Sequence, residues 1–274
     1  MTDGSAFYNE IDDFAVRWLR ALVTKGHIAP GNVERVGIEH LTADRIGNAT
    51  QAHFFAGIGV WSYALRLAGW PDDRPAWTGS CPCQPFSNAG GRRGASDARH
   101  LWPAWFSLIR ECRPPVIFGE QVASRSGRHW LDAVSADLET LGYAVGAADL
   151  CAAGVGAPHI RQRLFWVAYA DGSKRERGTD EPIGKPERGT ALGRDRKDGP
   201  ANPTQDPWHT DSTIRSADGV WRPWVSSLAD GHSQSLANGS PEVLGRLRGY
   251  GNAIVAPLAA AFIRSVMGIE RLAT

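Results

Sequence analysis

The stretch Ala52–Gly69, AHFFAGIGVWSYALRLAG, decides the fold. Ala52-His53-Phe54-Phe55 reads as a short strand that stops at Ala56-Gly57-Ile58-Gly59. Trp61, Ala64, Leu65 and Ala68 then recur at helical spacing, with Gly69 as the cap and Pro71 beyond. A strand that ends in a glycine-rich turn and opens a helix lets a ligand approach the backbone beside a helix N-terminus. Such a turn also serves tight packing alone, so both readings stay open at this point.

Working outward, short apolar runs alternate with helical periodicity. Ala6-Phe7-Tyr8 reads as a strand; Ile11, Phe14, Ala15, Trp18, Leu19 and Leu22 follow at helical spacing, and Lys25-Gly26 stops them. Val33 to Ile38 is a second strand and Trp77-Thr78-Gly79 a further one. Leu101, Trp105, Leu108, Ile109 and Cys112 share a helical face that Arg113-Pro114-Pro115 ends. Val116-Ile117-Phe118 is a buried strand ending in Gly119-Glu120. Trp130 to Leu141 is amphipathic, and Val145–Leu150 and Leu164–Tyr169 complete the strands. The alternation predicts an α/β fold with a mostly parallel sheet.

The composition changes after Ala170. Ile183 and Leu192 are the large apolar residues of 171–205, too few to bury much surface, so a flexible loop is expected there. SADGVWRPW (216–224) has hairpin character, and Trp221, Arg222 and Trp224 suit either a small reading hairpin or a satellite core. Asn252 to Met267 reads as an apolar helix returning to the sheet.

The 274 residues carry a net charge of +1, so nucleic-acid binding would need a local basic face rather than a global field. The four cysteines lack the spacing of a secreted disulfide framework, and no apolar run reaches the roughly 18 residues of a membrane helix. A soluble, cytoplasmic protein without a signal peptide is expected.

Candidate chemistry gathers at predicted strand ends. Cys81 and Cys83 in GSCPCQPFS (79–87) lack the companions of a zinc tetrahedron. Cys83 follows a strand, lies between prolines and precedes NAGGRRGASDARH (88–100), a mobile loop by composition. That is where α/β sheets place active sites. Arg92 and Arg93 would favour its thiolate. Cys81, Cys112 and Cys151 read as small core residues. Glu120 is either an exposed strand-end carboxylate or a partly desolvated acid with a raised pKa. Arg161 and Arg163, at a spacing of two in an extended segment, point the same way.

Together these residues resemble the DNA cytosine-5 methyltransferase family. Phe55-Ala56-Gly57-Ile58-Gly59 is similar to its cofactor turn and Pro82-Cys83-Gln84-Pro85-Phe86-Ser87 to its nucleophile segment. Glu120-Gln121-Val122 stands for its Glu-Asn-Val motif and His159-Ile160-Arg161-Gln162-Arg163 for its Gln-x-Arg-x-Arg motif. Gly251-Asn252-Ala253-Ile254 resembles its late glycine-asparagine motif. The acidic ribose segment and the adenine segment, which the family carries between the glycine turn and Pro-Cys-Gln, resemble FYNEIDDFAVRWLRAL and RVGIEHL upstream, with Gly37 at the usual aspartate position. This implies a Rossmann-like class I methyltransferase whose second and third sheet strands come first in the chain. The family's strand order is 3-2-1-4-5 with 7 and 6 beyond, so the strand holding Glu10 should lie beside the one holding Phe54.

The resemblance implies a catalytic domain over 1–170, a target-recognition region over 171–246 and a returning helix over 247–274. It implies S-adenosylmethionine as cofactor, held by Glu10, Ile11, Ile38, Phe55, Ala56, Gly57, Ile58, Gly59, Pro82, Asn252 and Ala253, with no metal. Cys83 would add to position 6 of a flipped-out cytosine, Glu120 would stabilise the adduct at N3, and Arg161 and Arg163 would hold the ring. Gln84, Ser87, Arg92, Arg93, Trp221 and Arg222 would contact double-stranded DNA. A monomer is expected, with a restriction enzyme as a further candidate partner. The rival readings are a catalytically inactive DNA-binding homologue and an RNA cytosine-5 methyltransferase.

Overall fold

The computed structural model describes residues 5–82, 101–157, 159–170, 213–215, 221–223 and 253–272. The strands of its main sheet are β1 (Ala6–Glu10), β2 (Gly31–Arg35), β3 (Gln51–Phe54), β4 (Ala76–Gly79), β5 (Val116–Val122), β6 (Ala144–Cys151) and β7 (Gln162–Tyr169). They lie in the order β2-β1-β3-β4-β5-β7-β6. β1 pairs in parallel with β2 on one side and β3 on the other, with Tyr8 opposite both Val33 and His53. β3–β4 and β4–β5 are also parallel, whereas β7 runs antiparallel to β5 and β6. The N-terminal strand pair therefore sits where the permuted reading places it.

The helices are α1 (Asp13–Thr24), α2 (Ala43–Ile46), α3 (Val60–Ala68), α4 (Leu101–Cys112), α5 (Arg125–Thr140) and α6 (Ala256–Leu272). Asp12 caps α1 by accepting from the Ala15 amide at 2.9 Å. Strand residues alternate between the two faces of the sheet, as a pleat of period two requires. Ile117 faces Trp105 and Leu138 in one core, while Val116 and Phe118 face α3 and α6 through Leu65, Leu258 and Phe262. Ala6 and Tyr8 pack under α1 with Val16, Leu19 and Ile28.

Several boundaries differ from the sequence reading. β2 ends at Arg35 and Ile38 enters a 3-10 turn (Ile38–His40), because the Val36 carbonyl is taken by the Asn9 side-chain amide at 2.8 Å. β5 continues past Glu120 to Val122, since its pairing with β7 extends to Val122 opposite Arg163. α6 begins at Ala256 rather than Asn252, because Pro257 is tolerated only in a first turn. Cys112 is exposed and Cys151 half-buried, not core: the first ends α4 just before the turn at Arg113, and the second closes the edge strand β6. Cys81 is buried as expected. Thr213–Arg215 (β8) and Trp221–Pro223 (β9) form an antiparallel pair, as the hairpin reading anticipates. The expected loop 171–205 lies outside the described residues. Among the described residues no helix is long and apolar enough to cross a membrane.

Candidate active site

The connection from β1 leads outward to β2, while that from β3 leads the other way to β4. Connections diverge between β1 and β3, and a crevice opens there beyond the carboxyl ends of the strands. A cavity of about 680 Å³ occupies it. Its wall takes Glu10 and Ile11 from the end of β1, Gly37 and Ile38 from the turn after β2, and Phe55, Ala56, Gly57 and Ile58 from the turn after β3. Ser80, Cys81 and Pro82 come from the segment that follows β4, Glu120 and Gln121 from β5, Arg161 and Arg163 from the β7 entry, and Ala253 from ahead of α6.

Glu10 ties the first part of this wall together. Its Oε1 accepts from the amides of Ile11 at 2.8 Å and Asp12 at 2.9 Å, and its Oε2 from the Gly57 amide at 2.7 Å. One carboxylate thus bridges the ends of β1 and β3. Phe55 holds a φ of 50°, unusual for a residue with a side chain, and its half-buried ring meets Trp105 edge-on at 5.8 Å. Gly59 stands apart from the other turn residues. It lies outside the lining, and a side chain there would press on Leu19 and Ile28, so its part is to seat the turn on α1.

At the opposite end Glu120 is 7% exposed. Its Oε1 pairs with Arg163 Nε at 2.8 Å. Burial pushes its carboxyl above the ordinary value, against the opposing pull of the Ser80 hydroxyl, Arg163 and Arg161. Burial, helped by Arg163, lowers the Arg161 guanidinium, while Glu120 opposes that. Ser80 and Gln121 belong to this site although sequence reading gave neither a role. Gly79 lies opposite Gly119, so Ser80 and Glu120 follow side by side on adjacent strands. The Ser80 hydroxyl also accepts from Trp61 Nε1 at 3.1 Å. Gln121 Nε2 donates to the Cys81 carbonyl at 3.1 Å. The signal for both was their adjacency to Cys81 and Glu120, which becomes meaningful once the strand register is known.

Cys83, Gln84, Ser87, Arg92, Arg93 and Asn252 lie outside the described residues, as do the side chains of Trp221 and Arg222. The described chain reaches Pro82 at the cavity wall, one residue before Cys83. No group of His, Cys, Asp and Glu side chains arranged to hold a metal occurs among the described residues.

The sheet order and the cavity at its switch point define a Rossmann-like α/β fold of the class I methyltransferase type. The model of the C-5 cytosine-specific DNA methylase family matches residues 70–215, just over half the chain. The chain belongs to that family. It is 37% identical over 93 residues to the type II methyltransferase M.AplI of Arthrospira platensis, covering 33% of this chain and 27% of that one. It is 36% identical over 99 residues to M.AgeI of Thalassovita gelatinovora, covering 35% and 23%. The chain thus spans about a quarter of the length of these curated relatives. A crystal structure of a DNMT2 mutant from Spodoptera frugiperda superposes with a TM-score of 0.43 at 17% identity, over 64% of this chain and 45% of that one.

Proposed function

We propose that the protein transfers a methyl group from S-adenosylmethionine to C5 of a cytosine flipped out of double-stranded DNA. The observation that carries this reading is the single cavity that joins the glycine turn, the approach to Cys83 and the Glu120–Arg163 pair. The family description, with DNA as substrate, supports it.

The cavity suits the cofactor: its volume falls in the range of small-molecule sites, and a carboxylate, an aromatic ring and a glycine turn face it together. Glu10 keeps acceptor capacity for a ribose diol beyond its three amide bonds. Phe55 and Ile38 offer apolar contact to a purine, with Ile11, Ala56, Gly57, Ile58, Pro82, Asn252 and Ala253 completing the site. When bound, S-adenosylmethionine supplies an electrophilic methyl group.

C5 of cytosine is a weak nucleophile. Addition of the Cys83 thiolate at C6 makes the ring enamine-like, and splits one hard step into easier ones. Glu120, whose carboxyl burial holds in its protonated form to higher pH, donates to N3 as negative charge develops there. Arg163 fixes Glu120 and meets the O2 side of the ring, with Arg161 adding positive potential. A base then takes the C5 proton, the released electron pair re-forms the C5–C6 double bond, and the Cys83 sulfur leaves C6 as thiolate. Gln84, Ser87, Arg92 and Arg93 serve as DNA contacts around the flipped base, and the β8–β9 pair, with Trp221 and Arg222, as part of a recognition region over 171–246.

The test is transfer of labelled methyl from S-adenosylmethionine to mixed-sequence duplex DNA, beside RNA and beside Cys83→Ala. Label in DNA cytosine that vanishes in Cys83→Ala is expected. Label in RNA alone would replace the substrate, and cofactor and DNA binding without transfer would make the chain a non-catalytic binder.

A further inference from the structure

Trp61 stands in the first turn of α3, directly behind the glycine turn. Its indole is 5% exposed and is pinned by two rings of the sheet, stacked on Phe118 at 6.4 Å and edge-on to Phe165 at 6.0 Å. Phe118 lies two residues before Glu120 on β5, and Phe165 lies opposite Glu120 on β7. The indole is therefore fixed beside the strand that carries the acid.

From this position Trp61 Nε1 donates to Ser80 Oγ at 3.1 Å. An indole N–H only donates, so Ser80 is the acceptor and its one hydroxyl proton is left to donate elsewhere. The strand register supplies the acceptor. Gly79 lies opposite Gly119, so Ser80 and Glu120 follow side by side, and both line the cavity. The Ser80 hydroxyl is close enough to the Glu120 carboxyl to favour its ionised form, as do the two charged groups that face it, Arg163 and Arg161. A carboxyl proton needs a lone pair that accepts no other hydrogen bond. With Ser80 and Arg163 as donors, the lone pairs left over are those open to the cavity.

We infer that Ser80, held by the Trp61 indole, is a positioning residue that donates to the Glu120 carboxyl and turns the proton-bearing edge of that group toward the base. The inference rests on the proposed methyl transfer and adds the pair of residues that aims its acid. The plainer role for Ser80, satisfying the buried Trp61 N–H, would leave Glu120 untouched.

The test is a carboxyl-carbon NMR titration of Glu120 in the whole chain carrying isotope-labelled glutamate, with Glu120→Gln identifying its signal, so that no turnover enters. Ser80→Ala should move the Glu120 midpoint to higher pH, because a donor to the carboxylate is lost. Ser80→Thr, which keeps the hydroxyl, should stay near wild type. Trp61→Phe keeps the packed ring and frees the hydroxyl to turn. It should shift the midpoint in the same direction by less, and should add nothing in the Ser80→Ala background. In methyl transfer, Ser80→Ala should lower kcat about tenfold, as loss of one charge-assisted hydrogen bond would, with cofactor Kd unchanged and recovery in Ser80→Thr. An unmoved Glu120 midpoint in Ser80→Ala would overturn the inference, as would full additivity with Trp61→Phe. Were Ser80→Ala to unfold, Trp61→Phe alone would decide by the same midpoint. If wild type transferred no methyl group, the proposed function would fall, while the Glu120 titration would still decide whether Ser80 holds the acid.

Discussion

Gln121 Nε2 donates to the backbone carbonyl of Cys81 at 3.1 Å, across the boundary between β5 and the end of β4. Its Oε1 in turn accepts from the Val122 amide at 2.9 Å, so the side chain is held at both ends. Both partners are buried: Gln121 is 4% exposed and Cys81 2%. The segment that leads into Pro82 and Cys83 is therefore anchored to the strand that carries Glu120. In the proposed mechanism the nucleophile and the acid must meet one ring, and this bond sets the distance between their supports.

Gln121→Ala should accordingly slow methyl transfer without weakening cofactor binding. A misplacement of about 1 Å at a reacting group costs roughly 100-fold, and a fall of that order in kcat with an unchanged cofactor Kd is expected. Stability should drop by only about 1 kcal/mol for the lost hydrogen bond. Single-turnover kinetics beside cofactor titration check the split; equal losses in both would mean a general disruption.

Glu120 should make stability depend on pH in an unusual direction for a carboxylate. Burial raises its pKa above the ordinary 4.5, so the native state keeps a proton that the unfolded chain releases. Its contribution is full below 4.5 and is lost as pH rises through the raised folded value. Glu120→Gln removes this term. The stability difference, wild type minus variant, should fall as pH rises from 4.5 in urea unfolding, and a flat difference would contradict the shift. Arg163→Ala should be worse than Glu120→Gln at neutral pH, by about 3 kcal/mol, because it strands a buried carboxylate. That is the low end for breaking such a pair, since Arg163 is 20% exposed.

His53 predicts acid sensitivity. It is buried between β1 and β4, stacked on Tyr8 at 4.8 Å, with Nδ1 and the Thr78 hydroxyl 2.8 Å apart. Burial lowers its pKa from 6.5 to about 3. The unfolded chain takes up a proton below 6.5 that the native state refuses, so stability is lost as pH falls from 6.5 toward about 3. Between pH 7 and 5 this one group should cost wild type about 2 kcal/mol. His53→Phe keeps the stack on Tyr8 and should remove that loss, read as a smaller drop in urea midpoint over the same interval.

Gly119→Ala should destabilise by about 1–3 kcal/mol through overpacking. A Cβ at 119 would overlap the Trp166 indole, which is fully buried on β7. Because Glu120 follows directly, the variant should also lose methyl transfer. Thermal unfolding beside activity tests both, and an unperturbed melting temperature would show that β7 yields more readily than its packing suggests.

The elements and their apolar faces were legible in the sequence because helical and strand periods are local properties. α1, α3, α4 and the start of β5 at Val116-Ile117-Phe118 all follow from spacing and stop residues, whereas the continuation of β5 to Val122 came from its pairing with β7. The permuted order was legible too, because the ribose and adenine segments stand upstream of the glycine turn, and β1 does lie between β2 and β3. What tertiary structure decided is which polar groups meet. The exposure of Cys112, the bridge from Glu10 to Gly57 and the hold of Gln121 on Cys81 depend on strand register and on how the elements pack. Sequence period places a residue on a face, but a hydrogen bond needs two groups within about 3 Å, and only the assembled sheet brings residues 40 positions apart that close.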